Sequence, residues 1–346
     1  MSIKYNGGYI PAVGADGQIL VADSSTSTGL RYNPTSAAGK NAIINGSMDF
    51  WQRGTSFSIA ASTAQYTADR WVAYFSNTGT ITQETSVIPS NSKYAIRLTA
   101  TATSMGNNIY QLIETNNALP YAGKAITISV QLAGTVGINT AVTLAYSTSV
   151  DDTLTNTSTS ISLTTVVAPT LSNSLQTYVF TGTVPSNAKT LRVGVSAQQV
   201  NTNYLVVANV QLELGSTATT FSRAGGSIGK ELALCQRYCQ SLNVLNPNGT
   251  NGAFLVMGGG VGPGSATEFI IPLKVTMRIT PNLLSYLAIY VSNGYMGSYA
   301  ATLTISNQST SDSLVLMGGV AGTLGSVYWL MTNSATASNI IWSAEL

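Results

Sequence analysis

Short runs in which apolar and polar residues alternate recur along most of the chain, broken by clusters of Gly, Asn, Pro, Ser and Thr. Period-two runs of this length bounded by turn residues predict β-strands. Between 41 and 222 they fall at 70–75, 94–100, 109–113, 125–132, 141–147, 177–181, 190–195 and 204–214. That spacing fits a β-sandwich. The strand at 204–214 turns Val206, Ala208, Val210, Leu212 and Leu214 to one face and Asn209, Gln211 and Glu213 to the other. An entry strand is predicted from Ala42 to Ile44, turning at Asn45-Gly46 and resuming with Met48, Phe50 and Trp51. The polar stretch DDTLTNTSTSISLTT, 151–165, reads as a long loop or an edge hairpin.

The period changes once. In IGKELALCQRYCQSLN, 228–243, Leu232, Cys235, Cys239 and Leu242 are spaced three, four and three apart, which predicts a helix with a narrow apolar seam. Such a seam either self-associates or rests on the neighbouring sheet. Beyond the breaker-rich turn Asn246-Pro-Asn-Gly249, alternation resumes at 253–257, 268–275, 285–291, 301–306, 314–317, 327–331 and 339–344. The chain is therefore all-β: an N-terminal segment (1–40) too slight for a domain, either an arm or a disordered tail, then a β-sandwich or jelly roll (41–226), a linking helix (227–246) and a second β-sandwich (247–346).

Composition narrows the function. Only 8% of the 346 residues are charged, against roughly 25% in ordinary domains. The net charge of +2 is spread without a Lys/Arg cluster, which argues against nucleic-acid or anionic-membrane partners. The apolar run 314–331 is interrupted by four glycines and suits two strands and a turn rather than a membrane helix. The N-terminal sequence MSIKYNGGYIPAVG lacks the apolar stretch of a signal peptide, so assembly in a bacterial cytoplasm is expected. No histidine is present, which excludes Ser-His-Asp and Cys-His catalysis and His-ligated metals. Cys235 and Cys239, four apart, match neither a redox nor a zinc spacing and read as buried thiols.

Several segments carry a resemblance. The stretch NGSMDFWQRG (45–54), the element YTADRW (66–71), QLELG (211–215) and ELALCQRY (231–238) resemble the motifs of phage tail-fibre and virion structural proteins built on a jelly-roll domain similar to carbohydrate-binding modules. The likeness covers about 41–240, with Cys239 departing from the family's usual aromatic. DGQILVADSS and TGLRY, within 16–32, are similar to N-terminal fibre segments, and MRITP (277–281) to an element of fibre C-terminal domains. The resemblance implies a virion location on tail or baseplate, attachment to another virion protein through the arm, a homotrimer with the seam Leu232, Cys235, Cys239 and Leu242, and adsorption to host surface polysaccharide. Modules of this shape often hold a structural calcium, for which Asn45, Asp49, Asn209 and Glu213 supply hard oxygen ligands. No other cofactor is implied.

Sugar recognition calls for aromatic faces beside hydrogen-bonding groups. Trp51 and Trp71 lie in strands and read as core, whereas Tyr290, Tyr295 and Tyr299 lie in a Gly/Asn/Ser-rich stretch expected to be an exposed binding loop. Asp151-Asp152, the only adjacent acidic pair, sits in a Thr/Ser loop and not across a cleft as glycoside hydrolysis requires. The glycine-rich 258–264 segment lacks the following helix that a phosphate loop needs. The expectation is a non-enzymatic receptor-binding protein. Two alternatives stay open, a purely structural capsid decoration or head fibre and a capsule depolymerase.

Overall fold

A computed structural model describes residues 4–5, 8–9, 18–22, 30–34, 40–153, 158–168, 170–199, 202–244, 254–260, 266–287, 289–292, 298–300, 303–321, 327–332 and 338–346. It is all-β, 49% strand and 7% helix. The first sandwich packs a six-stranded sheet against a seven-stranded one, both antiparallel. In the larger sheet, Ala125–Gly134 lies between Gln176–Thr183 and the exit strand Tyr204–Leu214; in the smaller, Thr190–Gln199 lies between Asn139–Ser147 and Ser104–Ile113. Each strand turns alternate side chains inward, so Ile109, Ile128, Val130, Val193, Val195 and Leu212 meet in one core that also buries Trp71 and Phe75. The 151–165 stretch contributes an antiparallel edge strand to each sheet, the first paired with Asn139–Ser147 and the second with Gln176–Thr183. Thr159–Ile161 edges the smaller sheet and Thr164–Val167 the larger.

The predicted entry strand is absent. Residues 41–50 form a turn-rich crossing, because side chains take over the hydrogen bonds a ladder would supply. Asn41 Oδ1 accepts from the amides of Ile43 and Leu212, and its Nδ2 donates to the carbonyls of Val210 and Ser222. Gln111 pairs with both backbone groups of Ile44. Asn45 is left-handed (φ 57°) and its side chain bridges Phe50 and the Asp69 carbonyl, an arrangement suited to asparagine. At Gly46 a Cβ would lie 2.2 Å from the Val210 carbonyl oxygen, so only glycine fits. The NGxxDxWQRG pattern is thus the closure of the domain onto its exit strand.

The second sandwich joins the sheet of Cys239–Val244, Ser338–Ser343 and Asn282–Leu287 to a seven-stranded sheet that includes Ala266–Pro272, Ser313–Ala321 and Val327–Thr332. Phe269, Leu314, Leu316, Leu330, Ile340 and Trp342 fill its core. The helix spans only Ile228–Gln236, N-capped by Ser227, and the chain then enters the strand Cys239–Val244. This corrects the expected seam. Leu232 and Cys235 are on the helix, but Cys239 pairs with Ser343 and Leu242 with Ile340 in the second sandwich. Cys235 packs on Ile44 and Tyr238, while Leu242 rests on the second core. Six successive strand pairings to 338–343 outweigh two further turns of a weakly amphipathic helix.

Four ionisable side chains join the two sandwiches. Arg70, left-handed at φ 72°, donates to the Leu112 carbonyl at 2.7 Å, pairs with Glu345 and lies 3.6 Å from the centroid of the Tyr238 ring. Arg53 reaches Glu345 at 3.0 Å and Asp69 at 3.8 Å. Asp69 accepts from the backbone and side-chain amides of Gln52, whose side chain also donates to the Cys239 carbonyl. All four side chains are at most 5% exposed. Burial alone would lower the Arg70 pKa, but Glu345, Tyr238 and Tyr66 reverse that and raise it. Burial raises the Asp69 pKa, and Arg53 and Gln52 offset only part of the rise.

Two outcomes follow. Glu345→Gln leaves two buried guanidinium groups against one carboxylate and should destabilise the chain by about 3–5 kcal/mol in denaturant unfolding; a change within experimental error would remove the cluster's structural role. Burial also raises both thiol pKa values, so thiolate is scarce near neutral pH. Iodoacetamide at pH 8 should label neither cysteine in the native chain and both in guanidinium, as read by intact mass.

Candidate glycan-binding cleft

One irregularity in the larger sheet builds a concavity with a polar floor. Ser129 pairs with Gln211, yet Gln131 pairs with Ala208, so three steps on the exit strand face two on its neighbour. This β-bulge places Asn209 at φ 48°. It also switches the inward parity of the strand: Leu205 and Val207 enter the main core before the bulge, and Val210 and Leu212 after it. Asn209 is thereby turned to the outer face. There Nδ2 donates to Gln131 Oε1 at 2.9 Å and to Asn91 Oδ1 at 3.0 Å, and Oδ1 accepts from the Ser92 hydroxyl at 3.0 Å.

Around this network lies an open cleft of about 390 Å³. Its floor holds Ser129, Gln131, Thr177 and Asn209; Ile88–Asn91 and Thr219–Phe221 form its walls, with Leu175 at one side. Every lining residue is uncharged. The Gln131 side-chain amide reaches Thr177 Oγ1 only at 3.5 Å, which leaves donor capacity toward the cleft. The amides are held in place before any ligand arrives, a pattern that suits hydroxyl-rich, neutral ligands. Nothing in the alternation pattern singled out Gln131, Asn91, Thr177 or Phe221. The one available signal was an asparagine in the middle of a strand, since asparagine tolerates the left-handed backbone of a bulge.

Each of the four oxygen donors considered for calcium is engaged by protein groups. Asn45 is engaged with Phe50 and Asp69. Asp49 accepts from Arg223 at 2.7 Å, from the Lys93 amide and from the Ser47 hydroxyl. Glu213 accepts from Thr219 and Gln211 and lies 3.5 Å from the Lys40 ammonium. Asn209 belongs to the cleft network. The charge that a cation would neutralise at Asp49 is met by Arg223, which also donates to the Asn91 carbonyl and so supports the cleft wall. Among the described residues no group of three or more His, Cys, Asp or Glu is placed to hold a metal.

The tyrosine stretch is not wholly a loop. Ile289–Ser292 and Ser298–Ala300 pair as an edge hairpin of the second sandwich, with Tyr290 opposite Ala300 and Tyr299 opposite Val291. Tyr295 lies outside the described residues. Trp71 is buried with its indole N–H donating to the Asn45 carbonyl, and Trp51 donates to Met48, so both are structural. Asp151 lies 3.4 Å from Arg278 and receives the Thr115 amide, while Asp152 receives the Ser147 hydroxyl, so the adjacent pair spans no cleft.

No protein-family model and no curated protein matches this chain. Among solved structures it is similar to the enzymatically active domain of tailspike protein 4 of bacteriophage CBA120, at 13% identity and a TM-score of 0.34 over 51% of this chain and 22% of that one. It is also similar to the C-terminal family 22 carbohydrate-binding module of Clostridium thermocellum Xyn10B, at 14% identity and 0.33 over 46% and 99% of the two chains. The xylan-binding family 22 module of Paenibacillus barcinonensis Xyn10C gives 12% identity and 0.30 over 47% and 95%. About half of this chain aligns with nearly the whole of each module, and it covers about a fifth of that tailspike domain.

Since Arg223 and Lys40 already neutralise Asp49 and Glu213, chelation should leave the melting midpoint unchanged. A rise of several degrees on adding calcium to the chelated chain, in scanning calorimetry, would restore the metal.

Proposed function

We propose that this chain is a phage virion protein, a tail fibre or a baseplate-attached receptor-binding protein, that adsorbs to a host surface glycan without cleaving it. The observation that carries the reading is the uncharged cleft on the outer face of the larger sheet, with the Asn209–Gln131–Asn91 network arranged in its floor. The resemblance of 41–240 to fibre and virion proteins supplies the virion setting. Amide and hydroxyl groups meet sugar hydroxyls, and Phe221, Leu175 and Ile88 offer apolar surface to a ring face. Hydrolysis would need two carboxyl groups about 5–10 Å apart across the bond, and the lining contains none. The arm before Asn41 would dock on another virion protein, and the edge hairpin bearing Tyr290 and Tyr299 would be a second contact with the cell. Assembly as a homotrimer, by surfaces other than the 228–243 segment, would multiply weak contacts.

Gln131 is half-buried, and its replacement by Ala should leave the fold intact. In Gln131→Ala, retention on immobilised host polysaccharide should fall about tenfold, equivalent to about 1.4 kcal/mol, with no reducing sugar released by the mutant or the parent chain. Parental retention would exclude the cleft as the receptor site, and released reducing ends would favour a depolymerase. Light scattering at the 36.0 kDa monomer mass would remove the trimer.

A further inference from the structure

The first sandwich has a second cavity, between its sheets rather than on a face. Because Thr159–Ile161 edges one sheet and Thr164–Val167 the other, Ser162 and Leu163 carry the chain across their open side. At this crossing is a cleft of about 370 Å³, within the usual range of small-ligand sites. Val142, Leu163 and Phe180 give it apolar walls, and Thr140 and Thr165 add two hydroxyls. Tyr178 completes the wall. It is only 5% exposed, and its hydroxyl is buried without a hydrogen-bond partner among the described residues.

A buried hydroxyl with no partner is rare enough to need an explanation. Its neighbours limit what the explanation can be. A bare sugar ring carries several hydroxyls and would set most of them against Val142, Leu163 and Phe180 unpaired, at a desolvation cost. A long alkyl chain would leave the phenol as it is. A short acyl group satisfies both requirements, because its carbonyl oxygen needs one donor and its methyl needs only apolar contact.

We propose that this cleft seats a short acyl group carried on a sugar, its carbonyl accepting the Tyr178 hydroxyl and its methyl against Val142, Leu163 and Phe180. The sugar carrier rests on the adsorption reading; the acyl group rests on the cleft alone. N-acyl and O-acyl groups share this chemistry, and the test separates them.

The full chain is titrated with N-acetylglucosamine, with an O-acetylated methyl glucoside and with glucose while methyl and amide NMR shifts are followed. The acylated probe that binds, or both, should move Leu163 and Val142, and glucose should not. Tyr178→Phe should retain the parental melting midpoint, having lost only an unpaired hydroxyl, and should bind about tenfold more weakly. Val142→Phe, which fills the cleft, should abolish the shifts, and Gln131→Ala should retain them even if polysaccharide adsorption proves to lie elsewhere. Equal affinity in parent and Tyr178→Phe, glucose as effective as the acylated probes, or no shift with either of them would overturn the proposal. So would a lowered midpoint in Tyr178→Phe, which would assign the hydroxyl to an ordered water only.

Discussion

The buried charge cluster of Arg53, Asp69, Arg70 and Glu345 is the constraint on which the two-domain arrangement depends. Each ion in it would be costly to bury alone, and each is held by a group from a different part of the chain. Arg70 can reach Glu345, the Leu112 carbonyl and the Tyr238 ring together because its backbone is left-handed within the turn closed by Thr67 and Trp71. A conformation that disfavours a long side chain persists here because the surrounding contacts over-determine it. The second sandwich is bound in at the same point, through the Gln52 contact with the Cys239 carbonyl and the Tyr66 contact with Leu346. Glu231 repeats the device nearby, accepting the Asn45 and Gly225 amides at 2.6 Å from inside the helix. Motif residues that look like chemistry in the sequence are therefore joints.

That explains why the fold was legible and the site was not. Alternation located the exit strand to the residue, and most other strands to within a few positions, because a strand with one buried face must alternate. It missed Thr63–Tyr66, whose side chains are mostly exposed and polar and so leave no periodic trace, and the short runs Ser56–Ile59 and Gly79–Glu84, although Phe57, Ile59 and Ile81 turn toward the core. It overextended the helix because apolar residues at three- and four-residue steps are also compatible with a helix followed by a strand. Cys239 and Leu242 kept their apolar character while changing partners from a helix face to the pairing with Ser338–Ser343. The entry segment was misread for a different cause. Its apolar run is genuine, but its hydrogen bonds are made by Asn41, Asn45 and Gln111, and side-chain pairing has no period.

The cleft was illegible in a deeper sense. It exists because one extra residue on the exit strand reverses which side chains face the core, so the even positions predicted to share a face do not: Val210 and Leu212 enter the main core, while Val206 and Ala208 pack on the opposite side of the sheet. Asn209 and Gln211 do share the outer polar face, but Asn209 opens to the cleft while Gln211 is buried under the 219–222 segment and bonded to Glu213 and Ser222. A bulge of this kind depends on pairing across sixty or more residues and cannot be seen in a local window. The composition adds to the difficulty. Ser, Thr and Asn serve as surface everywhere in this chain, so the few that converge on the cleft do not stand out.

The distribution of charge connects these features to function. The chain has 15 basic and 13 acidic residues, and several of them are used in the interior, where they pair across the joints. What remains at the outer cleft of the larger sheet is an uncharged lining in which amides and hydroxyls sit beside apolar side chains. Such a surface exerts little long-range attraction, so association is not accelerated by electrostatic steering and changes little with salt. Contacts between amides and sugar hydroxyls exchange one set of hydrogen bonds for another, and the net gain per contact is small. On the proposed adsorption reading, adhesion by a cleft of this kind would come from the number of copies presented together and from a rigid mounting that keeps them in register. The buried ion cluster provides that mounting, since it ties the sandwich bearing the cleft to the rest of the chain through contacts that cannot slip by a residue without leaving a charge unpaired.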